Sequence, residues 1–245
     1  HAYQNVPFYR QRLTQLNLTP DSFQKLEDLK KIPPLTREDI QNNFDTLLAT
    51  NLKLEGNYKG SSSGSTGQPV NYYHNKKTFS LGTAAVYFAW SLSGWKLGEP
   101  GIHIWGNPRT VNVEWKRLSS KVKAKIFNQT KYPAYRLTEQ GKYKELIQLI
   151  SKKRFSFIDG YTNAIYLLAK EIKEKQLNIP RFNHVFPTGE NLQDYQREII
   201  EDVLGPVYDN YGCGEILGIA YQVKDHNNYI VMDPHVIVEF DDQIE

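Results

Sequence analysis

Cysteine is almost absent from this chain of 245 residues, in which Cys213 is the single occurrence. One cysteine cannot form a disulfide within the chain, and the histidines show no spacing typical of a zinc site. No apolar run approaches the ~20 residues that a helix needs to cross a bilayer, and the N-terminus has no signal-peptide pattern. These absences argue against a disulfide-stapled scaffold and a membrane-spanning protein, and they favour a cytoplasmic one.

A dominant charge of one sign is also lacking. Lys and Arg number 30 against 27 Asp and Glu, which leaves a formal net charge of +3. So small an excess does not argue for nucleic acid, because the basic residues are scattered among acidic ones. Tyrosines are plentiful, at 16, and we interpret most of them as packing residues rather than stacking platforms for bases. We therefore expect no nucleic-acid partner.

The first fifty residues are mostly polar and are broken by prolines. Thr36 with Asp39 three positions later is typical of a helix start, because each side chain can bond the other residue's backbone N–H. We expect residues 1–50 to form an N-terminal helical segment. Residues 51–245 are then expected to form one α/β domain.

The run SSSGSTGQPV at residues 61–70 consists largely of hydroxyl-bearing residues and glycine. It separates two strand-like segments, residues 58–60 and 70–74, and this order predicts a β-hairpin. By composition alone the run is more typical of a flexible linker or a solvated turn. Its hydroxyls and closely spaced backbone N–H groups also suit an anion such as phosphate, and its glycines would let the backbone approach a ligand closely.

Two further segments carry a local signal. Residues 77–92 are apolar enough for a buried helix. Near the end of the chain, residues 229–232 and 236–240 are strand-like and flank a turn at Asp233-Pro234, which predicts a second antiparallel hairpin.

A strand, helix, strand, helix, strand order is the strongest fold signal. The strands are predicted at residues 155–158, 184–186 and 207–209, and the helices at residues 161–174 and 193–204. Short connections in this order imply a parallel sheet with right-handed crossovers. The predicted fold class is therefore α/β, with a βαβαβ parallel-sheet core, helices on both faces and additional β-hairpins.

Each of the three predicted strands stops at a glycine beside a polar residue: Asp159-Gly160, Thr188-Gly189-Glu190 and Asn210-Tyr211-Gly212. One such glycine could serve only the local backbone geometry. Ligands of open parallel sheets bind outside the carboxyl ends of the strands. Three such ends at one edge of a parallel sheet therefore favour a binding crevice.

Several motifs resemble those of a known group of enzymes. SSGSTGQP at residues 62–69 matches the phosphate-loop signature of adenylate-forming enzymes, and YGCGE at residues 211–215 resembles their second signature. VPFYR at residues 6–10 and IPPLTRED at residues 32–39 resemble the phenylacetate–CoA ligase-like branch, which includes capsular polysaccharide biosynthesis proteins. FNHVFPTGE at residues 182–190 is similar to that branch's adenine-side turn.

The resemblance implies that this chain is the large N-terminal domain of such an enzyme, with residues 51–245 as the AMP-binding part, truncated at its C-terminal end. The family's ribose-binding aspartate motif, its hinge and the catalytic lysine of its small C-terminal domain have no counterpart before Glu245. We therefore expect the C-terminal domain to be absent and the chain by itself to be inactive.

The implied activity is the ATP- and Mg²⁺-dependent conversion of a carboxylic acid to an acyl-adenylate, followed by transfer to coenzyme A or another thiol. Glu215 and Thr66 would be catalytic, and Glu215 would hold Mg²⁺. By the same resemblance, the nucleotide would be bound by Ser62, Ser63, Gly64, Ser65, Thr66, Gly67, Gly189, Glu190, Asn210, Tyr211 and Gly212.

Two positions depart from the family pattern. Val70 replaces a lysine that often follows the phosphate loop, and Gly214 replaces a small hydroxyl residue before the glutamate. The departure at Gly214, with the missing C-terminal motifs, leaves an alternative: a degenerate, non-catalytic nucleotide-binding module in capsular polysaccharide biosynthesis.

The pocket for the acid is less well defined by the sequence. The residues that could line it are Tyr87, Trp90, His103, Trp105 and Gly106. Aromatic, partly polar walls would suit an aryl or medium-sized apolar acid, but the same residues could be ordinary core, and we interpret His103 as structural. The sequence leaves the acid, the acceptor and the oligomeric state open.

Overall fold

The structure, a computed structural model, describes residues 1–53, 57–62, 69–106, 118–223, 228–233 and 236–240. The chain divides into two compact units, His1–Ser80 and Leu81–Glu245. The division at residue 50 inferred from the sequence stays a prediction. No helix within the described residues is long and apolar enough to cross a membrane.

The first unit is helical, followed by a hairpin. Its elements are α1 (Ala2–Asn5), α2 (Pro7–Gln15), two 3₁₀ turns (Pro20–Ser22 and Leu26–Lys31), α3 (Arg37–Asn42), α4 (Phe44–Leu47), β1 (Tyr58–Ser61) and β2 (Asn71–His74). The helix start predicted at Thr36 is confirmed. The Asp39 N–H donates to Thr36 Oγ1 and the Thr36 N–H donates to Asp39 Oδ2, both at 3.0 Å. Arg12 of α2 lies 3.5 Å from the same carboxylate.

The hairpin predicted around the serine-glycine run is confirmed. β1 and β2 pair antiparallel, with Ser61 opposite Asn71. Ser62 and Val70 continue the pairing by one residue, because the Ser62 N–H donates to the Val70 carbonyl at 2.9 Å and the Val70 N–H donates to Ser62 Oγ at 3.0 Å. The Ser62 hydroxyl therefore closes the base of the loop that follows it.

The second unit contains a parallel sheet, the helices that cover it and a small antiparallel sheet. Helix α5 (Lys76–Leu92) begins before the unit boundary. Then follow β3 (Gly101–Trp105), α6 (Leu118–Ile126), β4 (Gln129–Pro133), α7 (Tyr135–Thr138), α8 (Tyr143–Lys152), β5 (Phe157–Tyr161), α9 (Thr162–Glu174), β6 (His184–Thr188), α10 (Asp194–Val203), β7 (Asn210–Tyr211), β8 (Ala220–Gln222) and β9 (Tyr229–Val231).

The parallel sheet has the strand order β4-β3-β5-β6, which confirms the predicted α/β class. The predicted third strand begins as expected, since Val207 pairs in parallel with Val185 of β6. Its continuation then leaves this sheet, because Asn210 and Tyr211 pair antiparallel with β8. The segment 207–211 thus joins the two sheets of the unit.

Aliphatic side chains fill the space between one face of the sheet and the helices α8, α9 and α10. Ile102, Ile158 and Val185 from the strands pack with Leu146 and Leu168 from the helices, and all five are fully buried. Burial of each such side chain contributes about 1.5–3 kcal/mol relative to leaving it exposed. This face therefore holds most of the hydrophobic core.

Aromatic side chains cover the opposite face. Trp90 of α5 stacks on Phe186 of β6 with ring centroids 4.4 Å apart, and Trp95 packs edge-on against both Trp90 and Phe157. The helix predicted over residues 77–92 is confirmed, but only part of its surface is buried, since Phe88 is 59% exposed. The sheet consequently has helices on both faces, as predicted.

The second hairpin predicted near the end of the chain is wrong. β9 pairs with β8, and residues 236–240 do not form a strand. Two long-range contacts hold β9 there: the Tyr229 hydroxyl donates to the Asp209 carboxylate, and the Met232 N–H donates to the Ile219 carbonyl at 2.9 Å. The strand predicted at residues 229–232 is confirmed as β9, but the strand with which it pairs, β8, lies earlier in the chain. Pro234, in the predicted turn, lies outside the described residues.

Candidate functional site

The carboxyl ends of β5 and β6 meet at one edge of the sheet, since the two strands are parallel and Tyr161 is opposite Thr188. Gly189 follows β6 in the left-handed region, with φ +82°. Gly160, predicted in a turn, lies inside β5 instead, where a Cβ atom would be 2.2 Å from the Ile104 carbonyl oxygen. Gly160 therefore allows close strand pairing, whereas Gly189 shapes the turn at the edge of the sheet.

An aromatic pair lies at this edge. Trp105 of β3 and Tyr161 of β5 stack with centroids 4.1 Å apart and 18° between the planes. A Cβ atom on Gly189 would be 3.1 Å from the Tyr161 ring, so the turn runs directly beside the pair. Burial, reinforced by the charge of Glu190, raises the pKa of Tyr161, and its hydroxyl stays protonated at neutral pH. Tyr161 was not among the predicted site residues, although it directly follows the polar strand end Asp159-Gly160.

Glu190 ties the turn after β6 to the N-terminus of α9. Its Oε2 accepts a hydrogen bond from the Asn163 N–H at 2.8 Å. In the opposite direction, the hydroxyl of the fully buried Thr162 lies within hydrogen-bond distance of the carbonyls of Thr188 (3.4 Å) and Glu190 (3.2 Å). Side chains on both segments thus fix the backbone of residues 188–190.

Asn210 joins the end of β6 to the segment that leaves the sheet. Its Nδ2 donates to the Pro187 carbonyl at 2.9 Å and to the Tyr208 carbonyl at 3.2 Å. Its Oδ1 lies 3.4 Å from Trp90 Nε1. The amide is therefore engaged by the protein and sets the position of the neighbouring Tyr211, whose side chain is 60% exposed.

Glu215 is half-buried in the turn between β7 and β8, four residues after Tyr211. Within the described residues, no group of three His, Cys, Asp or Glu side chains could bind a metal ion by itself. A single carboxylate fits Mg²⁺ that is held mainly by phosphate oxygens, because this ion usually keeps only one or two protein carboxylates. Glu215 therefore suits a nucleotide-bound Mg²⁺ rather than a separate metal centre.

Most of the predicted phosphate loop lies outside the described residues, namely Ser63, Gly64, Ser65, Thr66 and Gly67. Ser62 is described at the base of the hairpin. In the second unit, Gly189, Glu190 and Asn210 lie around the end of β6, and Tyr211 and Gly212 continue from Asn210.

The predicted acid pocket divides into core and edge residues. Trp90 is 7% exposed and belongs to the aromatic core. Tyr87 stacks on Trp95, with 5.5 Å between centroids; burial and the charge of Asp159 raise the Tyr87 pKa. His103 and Trp105 stack on each other on the face of the sheet at its carboxyl end, with 5.8 Å between centroids. Gly106 is buried immediately after β3.

Known structures share this architecture. The chain matches the crystal structure of 2-hydroxyisobutyryl-CoA ligase in complex with 2-HIB-AMP and CoA with a TM-score of 0.72 and 18% sequence identity, over 93% of this chain and 49% of that one. The chain therefore has the fold of this acid–CoA ligase over the matched residues.

Sequence comparison finds proteins that are more similar to this chain in sequence. It is 25% identical to protein CapK of Staphylococcus aureus over 214 residues, which is 86% of this chain and 46% of CapK. It is 23% identical to phenylacetate-coenzyme A ligase of Thermus thermophilus over 245 residues, which is 98% of this chain and 53% of that enzyme. No protein-family model matches the chain. The predicted relationship to the phenylacetate–CoA ligase-like branch of adenylate-forming enzymes is confirmed, and the chain spans about half the length of these curated relatives.

Proposed function

We propose that the protein activates a carboxylic acid with ATP to form an acyl-adenylate and then transfers the acyl group to coenzyme A. The observation that carries this proposal is the pairing of two motifs, the phosphate-loop signature at residues 62–69 and YGCGE at residues 211–215. They occur in a chain with an acid–CoA ligase fold. The neighbour with that fold binds both an acyl-adenylate and CoA, as its name states.

In the second unit, we propose that adenine binds beside the turn after β6. Gly189 has no side chain to keep the base from the backbone, and the exposed ring of Tyr211 can stack on it. The carboxylate of Glu190 and the amide of Asn210 are bonded to protein groups. Their contribution to nucleotide binding is accordingly to hold the walls of the crevice in place.

In the proposed first step, a carboxylate oxygen forms a bond to the α-phosphorus while the bond from that phosphorus to the bridging oxygen breaks, and pyrophosphate leaves. The protein contributes mainly positioning and electrostatic stabilisation to such a displacement. We propose that residues Ser62 to Gly67 bind the triphosphate and that Glu215 holds Mg²⁺, which when bound neutralises charge on the phosphate oxygens. In the second step the thiol replaces AMP on the acyl carbon.

Pyrophosphate release by the full-length protein tests this proposal. It would be measured with ATP and a panel of aryl and medium-chain acids, for the wild type, Glu215→Gln and the control Glu198→Gln. We expect release with at least one acid, a loss of 100-fold or more in Glu215→Gln, given about 2.7–4 kcal/mol for one electrostatic contact in a transition state, and no change in the control, since Glu198 is an exposed residue of α10. No release with any acid rejects the enzymatic proposal.

Gly214, which stands where related enzymes have a small hydroxyl residue before the glutamate, supports one alternative. The chain would then be a non-catalytic nucleotide-binding module of capsular polysaccharide biosynthesis. Calorimetry with ATP and AMP, run beside the pyrophosphate assay, separates the two: AMP binding without release of pyrophosphate favours the module.

A further inference from the structure

A polar row crosses an otherwise aromatic face of the parallel sheet. The register places Lys131 of β4 beside His103 of β3, and His103 beside Asp159 of β5. Side chains two residues apart on a strand share a face. The ring of Phe157 therefore precedes this row, and the stacked pair of Trp105 and Tyr161 follows it.

Asp159 holds His103 in a defined orientation. The Nδ1 atom of His103 is hydrogen-bonded to Asp159 Oδ2, and Asp159 is only 6% exposed. Its other oxygen, Oδ1, is buried and has no hydrogen-bond partner within the described part of the chain. Burying a carboxylate is costly unless its partners compensate for lost water. Packing alone would not require this arrangement, whereas the orientation of an imidazole for a ligand would.

The second ring nitrogen of His103 is left for such a ligand. With Nδ1 committed to Asp159, Nε2 is the remaining polar atom, and no described residue bonds to it. The side chain of His103 is 29% exposed. Its ring lies parallel to that of Trp105, with 18° between the planes, and Trp105 is itself 36% exposed. A polar atom and an apolar surface are thus side by side at the carboxyl edge of the sheet.

We propose that Nε2 of His103 hydrogen-bonds a hydroxyl group of the substrate acid, while Trp105 packs against its apolar body. The inference rests on the proposed function and specifies the substrate class as a hydroxylated acid with an apolar or aromatic body. A hydroxyl both donates and accepts, so it pairs with Nε2 whether or not this nitrogen carries a proton. The Asp159 carboxylate acts through His103, as a positioning residue.

The experiment compares hydroxylated acids with their parents. The full-length protein is assayed for pyrophosphate release with the three hydroxybenzoates, the three hydroxyphenylacetates and the hydroxybutyrates, each beside its parent acid and, for the aryl acids, its methoxy analogue. Two variants distinguish the roles of the two ring nitrogens of His103. His103→Asn can still donate to Asp159 but has no atom at the Nε2 position, whereas His103→Gln reaches that position without the bond to Asp159. Direct binding of the same acids is measured by calorimetry, and melting curves confirm that each variant folds.

We expect at least one hydroxylated acid to be preferred over its parent by about tenfold in kcat/KM, the size of one good hydrogen bond. His103→Asn should abolish that preference, because kcat/KM should fall for the hydroxylated acid far more than for its parent, and His103→Gln should retain part of the preference. An unchanged preference in His103→Asn overturns the proposal. A parallel loss with every acid also overturns it, since His103 would then serve the carboxylate, the nucleotide or the fold.

The binding measurements keep this inference distinct from the proposed function. If no acid releases pyrophosphate, but calorimetry shows a preference for a hydroxylated acid that His103→Asn removes, the enzymatic proposal fails and the hydroxyl site stands. Pyrophosphate release without any preference for hydroxylated acids has the opposite meaning: the activity stands and the inference fails.

Discussion

The carboxylate of Glu190 caps the helix that begins at Thr162: its Oε2 lies 2.8 Å from the backbone nitrogen of Asn163. A carboxylate at this position satisfies one of the free N–H groups of the helix and is favoured by the helix dipole. The turn that contains Gly189 is thereby anchored to α9.

Replacing Glu190 with Ala should lower the free energy of unfolding by about 1 kcal/mol, the usual effect of losing a helix cap. Glu190→Gln keeps an acceptor and should lose less. Urea denaturation measures both, with Glu198→Ala of α10 as a control for removing an exposed glutamate. Equal midpoints for wild type and Glu190→Ala would show that the cap contributes nothing.

Thr162 provides the reciprocal contact, because its fully buried hydroxyl faces the carbonyls of Thr188 and Glu190. Thr162→Val has nearly the same shape but leaves these carbonyls without the donor. We expect a loss of roughly 1–2 kcal/mol, since an unmet buried acceptor costs about 1–3 kcal/mol. Thermal unfolding should show Thr162→Ser, which keeps the hydroxyl, closer to the wild type. If Thr162→Ser is less stable than Thr162→Val, the methyl group contributes more to stability than the hydrogen bonds do.

The effect of replacing Asn210 on stability should depend on the loss of its amide donor rather than on the change in its size. Asn210→Asp keeps the shape and an oxygen for Trp90 but loses the donor for the Pro187 and Tyr208 carbonyls. A carboxylate facing those carbonyls should cost roughly 1–3 kcal/mol. We expect the unfolding midpoint in urea at pH 7 to drop more in Asn210→Asp than in Asn210→Ala. The reverse order would contradict the assigned role of the amide.

Gly160 should not tolerate a side chain. A Cβ atom there would lie 2.2 Å from the Ile104 carbonyl oxygen, at φ +153°. Gly160→Ala should destabilise the second unit by roughly 2–4 kcal/mol, through overpacking and backbone strain. Gly212→Ala is the matched control, because the nearest atom to its added Cβ is 3.6 Å away. Calorimetric melting of the two variants should differ clearly, and similar melting temperatures would exclude the clash.

Protonation of the Asp28 carboxylate should make the first unit less stable in acid. The Lys31 ammonium group, helped by the N–H groups of Gln24 and Lys25, lowers the Asp28 pKa to about 2. Because this value is below the unfolded pKa of about 4, the stabilisation is complete above pH 4 and is lost as the pH falls toward 2. The stability difference between wild type and Asp28→Asn, measured in urea from pH 7 to pH 2, should therefore be largest at neutral pH. Asp21→Asn serves as the control, and a difference independent of pH would contradict the charge-based role.

Signals within a few residues of each other were sufficient for much of the fold. The Thr36 and Asp39 pair fixed a helix start, and the glycine-rich run between strand-like flanks fixed a hairpin. Helices α9 and α10 also fall within a residue of their predicted bounds. In each case the forces that select the element act between neighbours along the chain, so the local pattern carries them.

Contacts between distant residues were decided only by the tertiary structure. Tyr229 was expected to lie in a hairpin with the residues that follow it, yet it bonds Asp209, twenty positions earlier. His103 and Asp159, 56 positions apart, meet only because β3 and β5 are neighbours in one register. The sequence by itself determined the family motifs and the parallel order of β5, α9 and β6. It did not determine the partner of β9, and residues 236–240 form no strand. Strand pairing and side-chain packing decided which polar groups bond to one another, because the register of the strands brings together residues that are far apart along the chain.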